Sequence, residues 1–351
     1  MITVGILVTN VPKISKFSAS CYAFANEQPN MLAFYFRLRD IDIVNKKVAG
    51  WVKDTKTNVL TQQMFDYPDV VESHYPRSRK SVGFSNYLEM VREKNVKRTV
   101  NGSPFLNKAK VNKLVSMYND GQYAIDTVAY SASNLQVFLD KYKSVIVKPN
   151  GSLQGKNVFL IENNEGGIRV TANGDSIVYS PDKFDELCEK TFRATYIIGT
   201  YINTVDAGGA AYSIRANYSI DEDGRWIFRN SATYVNMKPG NIISNDQDNG
   251  RVIIMGHQDF LAVYFGKDYV KFFDKELENI GKNVLPIVDS GTGQESVQMG
   301  LDILIESSTG EIKIVEINQR PAMKTLFYEM AKARPVAYRH LAKMDGKQKL
   351  L

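Results

Sequence analysis

Thiols and imidazoles are scarce in this chain of 351 residues: two cysteines, Cys21 and Cys188, and three histidines, His74, His257 and His340. The cysteines are far apart and lack ligand-type spacing, which excludes a zinc cluster or a disulfide framework. No histidine motif accompanies them, so neither is assigned as a nucleophile, and both read as buried free thiols in a reducing compartment. The histidines share no motif and read as structural or solvated. No run approaches eighteen apolar residues, so no membrane-spanning helix is expected. The start, Met1-Ile-Thr-Val-Gly5, lacks the basic region and cleavage site of a signal peptide. Together these predict a cytoplasmic protein without a membrane partner. Repeats, low-complexity tracts and disordered linkers are also missing.

What is present is a 44% hydrophobic composition, enough for a sizeable core, over a length that predicts two domains. Lysine and arginine exceed aspartate and glutamate by 44 to 38, a net charge of +6. The excess is dispersed apart from Arg77–Lys80, Arg92–Arg98 and the tail Lys343–Lys349, and a phosphate-binding cleft also needs positive charge, so nucleic acid is not the expected partner. β-rich runs at Ile2–Val8, Met31–Phe36, Ile41–Val44 and Val48–Val52, with a helix at Ser85–Lys94, predict an α/β pre-domain over residues 1–100. Asn101-Gly-Ser-Pro104 punctuates the chain there. Helices at Lys108–Tyr118, Asn134–Tyr142 and Pro181–Arg193, the last behind Ser180 as N-cap, enclose the strands of a small α+β lobe over about 107–195. A strand-rich larger lobe over about 196–341 carries Tyr196–Ile202, Tyr212–Ile220 and Trp226–Val235, a helix at Val270–Asn283 and one or two closing helices within Ala322–Leu341. Residues 342–351 form a basic tail.

The stretch Gly300-Leu-Asp-Ile-Leu-Ile-Glu-Ser-Ser-Thr-Gly-Glu-Ile-Lys-Ile-Val-Glu-Ile-Asn-Gln-Arg-Pro321 carries the clearest chemistry. Two β-rich runs flank a three-residue loop, Ser308-Thr309-Gly310, whose glycine suits the left-handed conformation such hairpins favour. If Ser307 pairs with Glu311, counting places Asp302 opposite Glu316, with Asn318 on the same face. Paired carboxylates repel unless a cation sits between them. Two carboxylates and an amide form an all-oxygen set suited to Mg²⁺ that also holds a nucleotide phosphate. The alternative is a surface hairpin with scattered acids. Upstream, Ser144-Val-Ile-Val-Lys-Pro-Asn-Gly-Ser-Leu-Gln-Gly-Lys-Asn-Val-Phe-Leu-Ile161 reads as strand, glycine-containing loop, strand. Lys148 ends a β-branched run where an apolar residue is normal. Gly151, Ser152 and Gly155 allow a backbone whose N–H groups cover phosphates. No Walker A pattern is present, since a strand follows rather than a helix.

These two segments resemble the ATP-grasp superfamily, in which a Lys-Pro strand with a Gly-rich loop and a D…E-x-N hairpin clamp Mg-ATP. The hairpin resembles that of ribosomal-protein and tripeptide glutamate ligases. Other blocks follow in order: Asn107-Lys108 at a helix start, the hinge Ile197-Ile-Gly-Thr-Tyr-Ile202, Tyr212-Ser-Ile-Arg215, and Ser244-Asn245. Over nearly the whole length, including Gly5-Ile-Leu-Val8 and Tyr67-Pro-Asp-Val-Val71, the chain is most similar to the YheC/YheD-type ATP-grasp proteins. The resemblance implies two α+β lobes clamping ATP behind a small α/β pre-domain. It assigns nucleotide contacts to Lys108, Lys148, Gly151, Ser152, Gly155, Lys156, Thr200, Tyr201 and Asn245. Metal contacts fall to Asp302, Glu316 and Asn318, with two Mg²⁺ expected and Mn²⁺ as a substitute. Arg215 and Arg320 are the catalytic candidates. Departures from the pattern are Ser213 where glutamate-type ligases carry aspartate, Asn249-Gly250 for Gly-Gly, Gln319-Arg320-Pro321 for a small-residue turn, and Gly199 for a common glutamine.

The implied activity is an ADP-forming carboxylate–amine ligase that makes an amide or peptide bond through an acylphosphate. Its partners would be small-molecule or peptide acids and amines, and a homo-oligomer is left open. The competing reading is a nucleotide-binding, non-catalytic structural protein of the spore-coat type. A phosphotransferase that stops at phosphorylation is a third.

Overall fold

The computed structural model describes residues 1–11, 13–54, 56–73, 81–99, 107–151, 157–204, 209–238, 242, 244, 252–293, 296–319, 321 and 326–344. The first sheet runs through β1 (Ile2–Leu7), β2 (Met31–Phe36), β3 (Ile41–Asp42), β4 (Lys47–Lys53), β5 (Leu60–Asp66), β6 (Val70–Glu72) and β7 (Lys97–Arg98). Its order is β3-β4-β2-β1-β6-β7, with β5 beside β4. The central strands β2, β1, β6 and β7 are parallel, which explains their near-continuous burial. Their crossovers place α1 (Lys16–Asn26) on one face and α2 (Phe84–Glu93) on the other, each within its own cluster of buried side chains. The expected strands and α2 are all present. Helix α1 and strand β5 carry no matching signal: α1 is diluted by small polar residues, Ser18 and Ser20 among them, and β5 is largely exposed on an edge.

Next come α3 (Lys108–Val115), β8 (Thr127–Ala129), α4 (Ala132–Tyr142), β9 (Ser144–Pro149), β10 (Phe159–Asn164), β11 (Gly167–Ala172), β12 (Asp175–Tyr179), α5 (Pro181–Thr191) and β13 (Tyr196–Thr200). The strands form one antiparallel sheet, β12-β11-β10-β9-β13-β8, backed by α4 and α5 over a core that includes Leu139, Val147, Ile161, Phe184 and Ile198. Ser180 occupies the N-cap of α5 without a side-chain hydrogen bond, the proline at the first turn sufficing.

The large lobe has β14 (Ala211–Ile220), β15 (Trp226–Asn236), β16 (Val252–Met255), α6 (His257–Tyr264), α7 (Lys267–Asn279), α8 (Leu285–Thr292), β17 (Gln298–Ile305), β18 (Ile312–Asn318), α9 (Phe327–Lys332) and α10 (Arg334–Lys343). Its antiparallel order is β16-β15-β14-β17-β18. The expected single helix at 270–283 is longer: a π-helical turn, Ile280–Val284, joins α7 to α8. Among the described residues the closing helices are two, α9 and α10.

Two elements change lobes relative to the expected division at residue 195. Strand β13 pairs with β9 and β8, so the small sheet extends to Thr200. Helix α3 goes the other way. Its Val111 and Val115 lie in the large-lobe core, Leu114 packs against Gly291, and Ile314 N donates to Tyr123 O, so the segment after α3 covers the edge of β18.

Candidate functional site

The hairpin β17–β18 sets Asp302 opposite Glu316 and Gly300 opposite Asn318, the register expected from counting, but by a different route. The loop is Ser307–Gly310 rather than three residues. Glu306 N donates to Glu311 O and Gly310 N to Glu306 O, and Gly310 takes φ +74°. The Glu306 carboxylate accepts from the backbone N–H groups of Ser308 and Thr309, at 2.8 and 2.9 Å, holding the turn. Ile305 therefore pairs with Ile312, one residue out of the counted phase. A β-bulge then restores the phase: Ile303 faces Ile314, Asp302 faces Glu316, and Val315 is the extra residue. The bulge turns two consecutive side chains, Val315 and Glu316, into the same cleft, where an unbroken strand would offer only one. Gly300 has its own reason: a Cβ there would lie 2.5 Å from Pro321 Cβ.

Three cations converge on this carboxylate pair from three elements. Arg215 on β14 is the cross-strand partner of Asp302, donating from Nε to Oδ1 at 2.5 Å and from Nη2 to Oδ2 at 3.0 Å. Burial works against its charge, but Asp302 more than offsets this and its pKa is raised. Lys108 opens α3, whose N-cap Asn107 accepts from Lys110 N, and its Nζ lies 3.6 Å from Glu316 Oε2. Lys148 comes from the small lobe on β9. Burial first, then Lys108, bring its pKa down to about 8 against the pull of Glu316 and Asp302. Glu316 is shifted upward, by burial and then by Asp302, with the three cations opposing. The two lysines thus belong to different bodies: Lys108 is fixed to the hairpin's lobe, Lys148 to the lobe across the cleft.

Lys108, Lys148, Asp302 and Glu316 help to line a cavity of about 180 Å³ whose other walls are largely apolar. Ile146, Val158 and Ile197 line it from the small lobe, Leu304 and Val315 from the large. Thr200 and Tyr201 stand at its rim, where β13 ends and the chain crosses between lobes. Thr200 N donates to Asp126 O, while its Oγ1 is buried without a hydrogen-bond partner. Ser213, in the expected aspartate position, bonds Ser244 at 2.5 Å. Gly151 is exposed beside β9. Asn150, expected only as the start of a glycine loop, accepts from Ala109 N at 3.1 Å and ties the strand end to the Lys108 helix. The apolar walls were also missed, although Ile146 and Leu304 each lie two residues from a charged site residue, a period-2 signal. Ser152, Gly155, Lys156, Asn245 and Arg320, the Asn249-Gly250 pair, and His74 lie outside the described residues.

Among the described residues there is no group of three or more His, Cys, Asp or Glu suited to a metal. The hairpin offers two carboxylates and an amide. His257 is structural. It sits between Ser231 Oγ (2.6 Å) and Asp274 (2.7 Å), and Ser231, paired with Ala216, is one residue out of phase with Arg215 and so faces α6 and α7, not the cleft. Cys21 and Cys188 are buried and free. No described helix is long and apolar enough to cross a membrane.

The YheC/D like ATP-grasp family model matches residues 97–343. No curated protein sequence matches the chain. Among solved structures, the D-Ala:D-Ser ligase VanG of Enterococcus faecalis is similar at TM-score 0.51 and 10% identity, over 97% of each chain. D-cycloserine synthetase DcsG follows at 0.50 and 12%, covering 96% of this chain and 99% of that one. The ATP-grasp ligase PsnB, solved with a minimal precursor, gives 0.50 and 10% over 97% and 99%. At such identities the likeness establishes the fold, two α+β lobes behind an α/β domain.

Proposed function

The chain belongs to the YheC/D like ATP-grasp family, and from that premise we propose that it is an ATP-dependent carboxylate–amine ligase forming an amide or peptide bond. The observation that carries this reading is the charge arrangement: Lys108, Lys148 and Arg215 surround the Asp302–Glu316 pair, which lines a cavity with otherwise largely apolar walls. A purine fits between Ile146, Val158 and Ile197 on one side and Leu304 and Val315 on the other, with the backbone at Thr200–Ile202 facing its edge. Lys108 and Lys148 reach the inner phosphates. The donor set fits Mg²⁺, since all three groups are hard oxygens and the pair carries charge that the protein must otherwise balance with cations. Bound through Asp302, Glu316 and Asn318, Mg²⁺ would neutralise the outer phosphates. The lysines and hairpin then leave the γ-phosphorus open to a substrate carboxylate, whose attack releases ADP and gives an acylphosphate; an amine attacks its acyl carbon and releases phosphate. Arg215 stands where negative charge develops on the transferring group. Positioning and charge neutralisation do the work, as in phosphoryl transfer generally.

The similar structures are named as a D-Ala:D-Ser ligase, a D-cycloserine synthetase and a ligase solved with a minimal precursor, so we take amino acids and short peptides as the substrates to screen. The test is nucleotide release with mixed acid and amine pools, followed by mass spectrometry of the product. ADP and phosphate are expected; AMP would overturn the acylphosphate route. Glu316→Gln should abolish turnover and weaken Mg-ATP binding at least tenfold by calorimetry, and unchanged affinity would remove the metal assignment. A non-catalytic scaffold is the second reading. It is favoured by Ser213 bonding Ser244 where an acid was expected, and tight ATP binding without turnover on any acid–amine pair would select it.

A further inference from the structure

In this fold the carboxylate assigned to the metal is already occupied. Both oxygens of Asp302 accept from one guanidinium, at 2.5 and 3.0 Å. The contact is preset by sheet register, because Arg215 and Asp302 are direct partners across β14 and β17. Little side-chain freedom is lost in making it, and with side chains only 16% and 21% exposed it is weakly screened. Glu316, the other carboxylate, faces Lys108, and Lys148 adds a third cation. A divalent cation arriving alone therefore meets three positive heads around two carboxylates, and must break a bidentate pair while leaving a buried guanidinium without a partner. That is costly where both charges are largely buried.

We propose that Arg215 gates the metal site: it clamps Asp302 in the nucleotide-free protein and releases it only when an anionic phosphate offers the guanidinium a new partner. This rests on the proposed reading of Asp302 as a metal ligand. The triphosphate reverses the local charge balance, gives Arg215 and both lysines acceptors, and frees both oxygens of Asp302 in one exchange. Metal and nucleotide then bind with strong positive coupling, and each strengthens the other by the same factor. A second consequence follows for the chemistry. Arg215 moves to the reacting phosphate in the same exchange that opens Asp302 to the metal, so a site without nucleotide is not assembled for transfer.

The test is Mn²⁺ binding to the full chain, followed by electron paramagnetic resonance without nucleotide and with a non-hydrolysable ATP analogue. Wild type should bind Mn²⁺ at least tenfold more tightly with the analogue than without it. Arg215→Ala should bind Mn²⁺ at least tenfold more tightly than wild type in the absence of nucleotide, and adding Asp302→Asn should erase that gain. Arg215→Lys keeps the charge but cannot form the two-point contact, so it should show a gain of a few fold. It also serves if the alanine variant fails to fold. No gain in either variant, with Asp302→Asn still weakening Mn²⁺–analogue binding, overturns the gate and leaves the metal reading standing. A gain in Arg215→Ala with none in Arg215→Lys reduces the effect to charge repulsion and overturns the clamp. If Asp302→Asn leaves Mn²⁺–analogue binding unchanged, the metal reading fails and the gate with it.

Discussion

At the scale of single residues, Lys148 shows both what a sequence tells and where it stops. A lysine ending the run Val145-Ile-Val147 is out of place for burial alone, and that anomaly marks the site. Its environment is invisible from the strand itself, because Lys108 and Glu316 approach from another lobe. Their placement produces the measurable property: burial and Lys108 depress the Lys148 pKa to about 8. In the proposed complex the phosphates favour the ammonium form and raise that value, so nucleotide binding takes up a proton at mildly alkaline pH. The sign follows from linkage. Affinity is level while Lys148 is already protonated in the free protein, below about pH 8, and falls as pH rises above it. The slope approaches about tenfold per pH unit for one proton. Calorimetry of a non-hydrolysable ATP analogue between pH 7 and 9.5, in buffers of different ionisation enthalpy, should show that uptake. Lys148→Met should lose both the uptake and the slope, and a slope that persists in the variant assigns the titration elsewhere.

Among elements, the metal-type hairpin was legible and its internal correction was not. Counting from a three-residue loop puts Asp302 opposite Glu316, and the two residues do face each other, yet the loop is a residue longer and Val315 bulges to compensate. The sign of the bulge in the strand is a single break of period 2, the three-residue step from Ile314 to Ile317 where strict alternation would bury Glu316. Helix α3 is a similar case. Its apolar stripe, Val111, Leu114 and Val115, declares an amphipathic helix without saying which lobe it serves, and the partner surface on α8 is formed some 175 residues later, around Gly291. Gly300 gives a direct test of how tightly the hairpin is held. A Cβ there would come within 2.5 Å of Pro321 Cβ and 3.1 Å of Asn217 Oδ1. A proline ring cannot fold away as a flexible side chain does, so the backbone or the turn must shift. Gly300→Ala is expected to cost about 1–3 kcal/mol, in the range of overpacked cores, and to weaken Mg-ATP binding by displacing Asp302 and Asn318. Urea denaturation and calorimetry on the same variant check the two effects, and a variant with wild-type stability would mean the turn relaxes freely.

For the molecule as a whole, the small lobe closes over its own buried cluster, whereas one continuous core runs from Val4 of the first sheet and Cys21 of α1 through Met330 and Tyr338 to Met299 of the large lobe. The pre-domain legible in the sequence therefore keeps a core of its own on the α2 face of its sheet but shares the core on the α1 face, because helices α9 and α10, read only as a closing segment, return to pack on α1. At that junction lies a dry ion pair. Arg334 Nε is 3.0 Å from Glu72 Oε2, close enough to pair though misaligned for a hydrogen bond, and the two side chains are 0% and 1% exposed. Tyr338 and Thr99 donate to the same carboxylate at 3.1 Å each, and Arg334 also donates to Gln298 of β17 while lying over the Phe17 ring. One charge from the end of β6 and one from α10 thus join the first domain to the last helix and to the strand that carries Asp302. Losing either partner leaves the other charged, buried and unpaired. Arg334→Met alone should cost about 3–5 kcal/mol, whereas Glu72→Gln with Arg334→Met, which removes both charges and keeps most of the volume, should recover much of that loss. Urea unfolding of wild type, both single variants and the double variant completes the cycle. If the pair also holds the two domains as one unit, wild type should unfold the pre-domain and large lobe in a single transition, and the variants that lack the pair, the double variant included, should divide it into two. Additive losses in the cycle would mean that the core alone, without the charges, carries the junction.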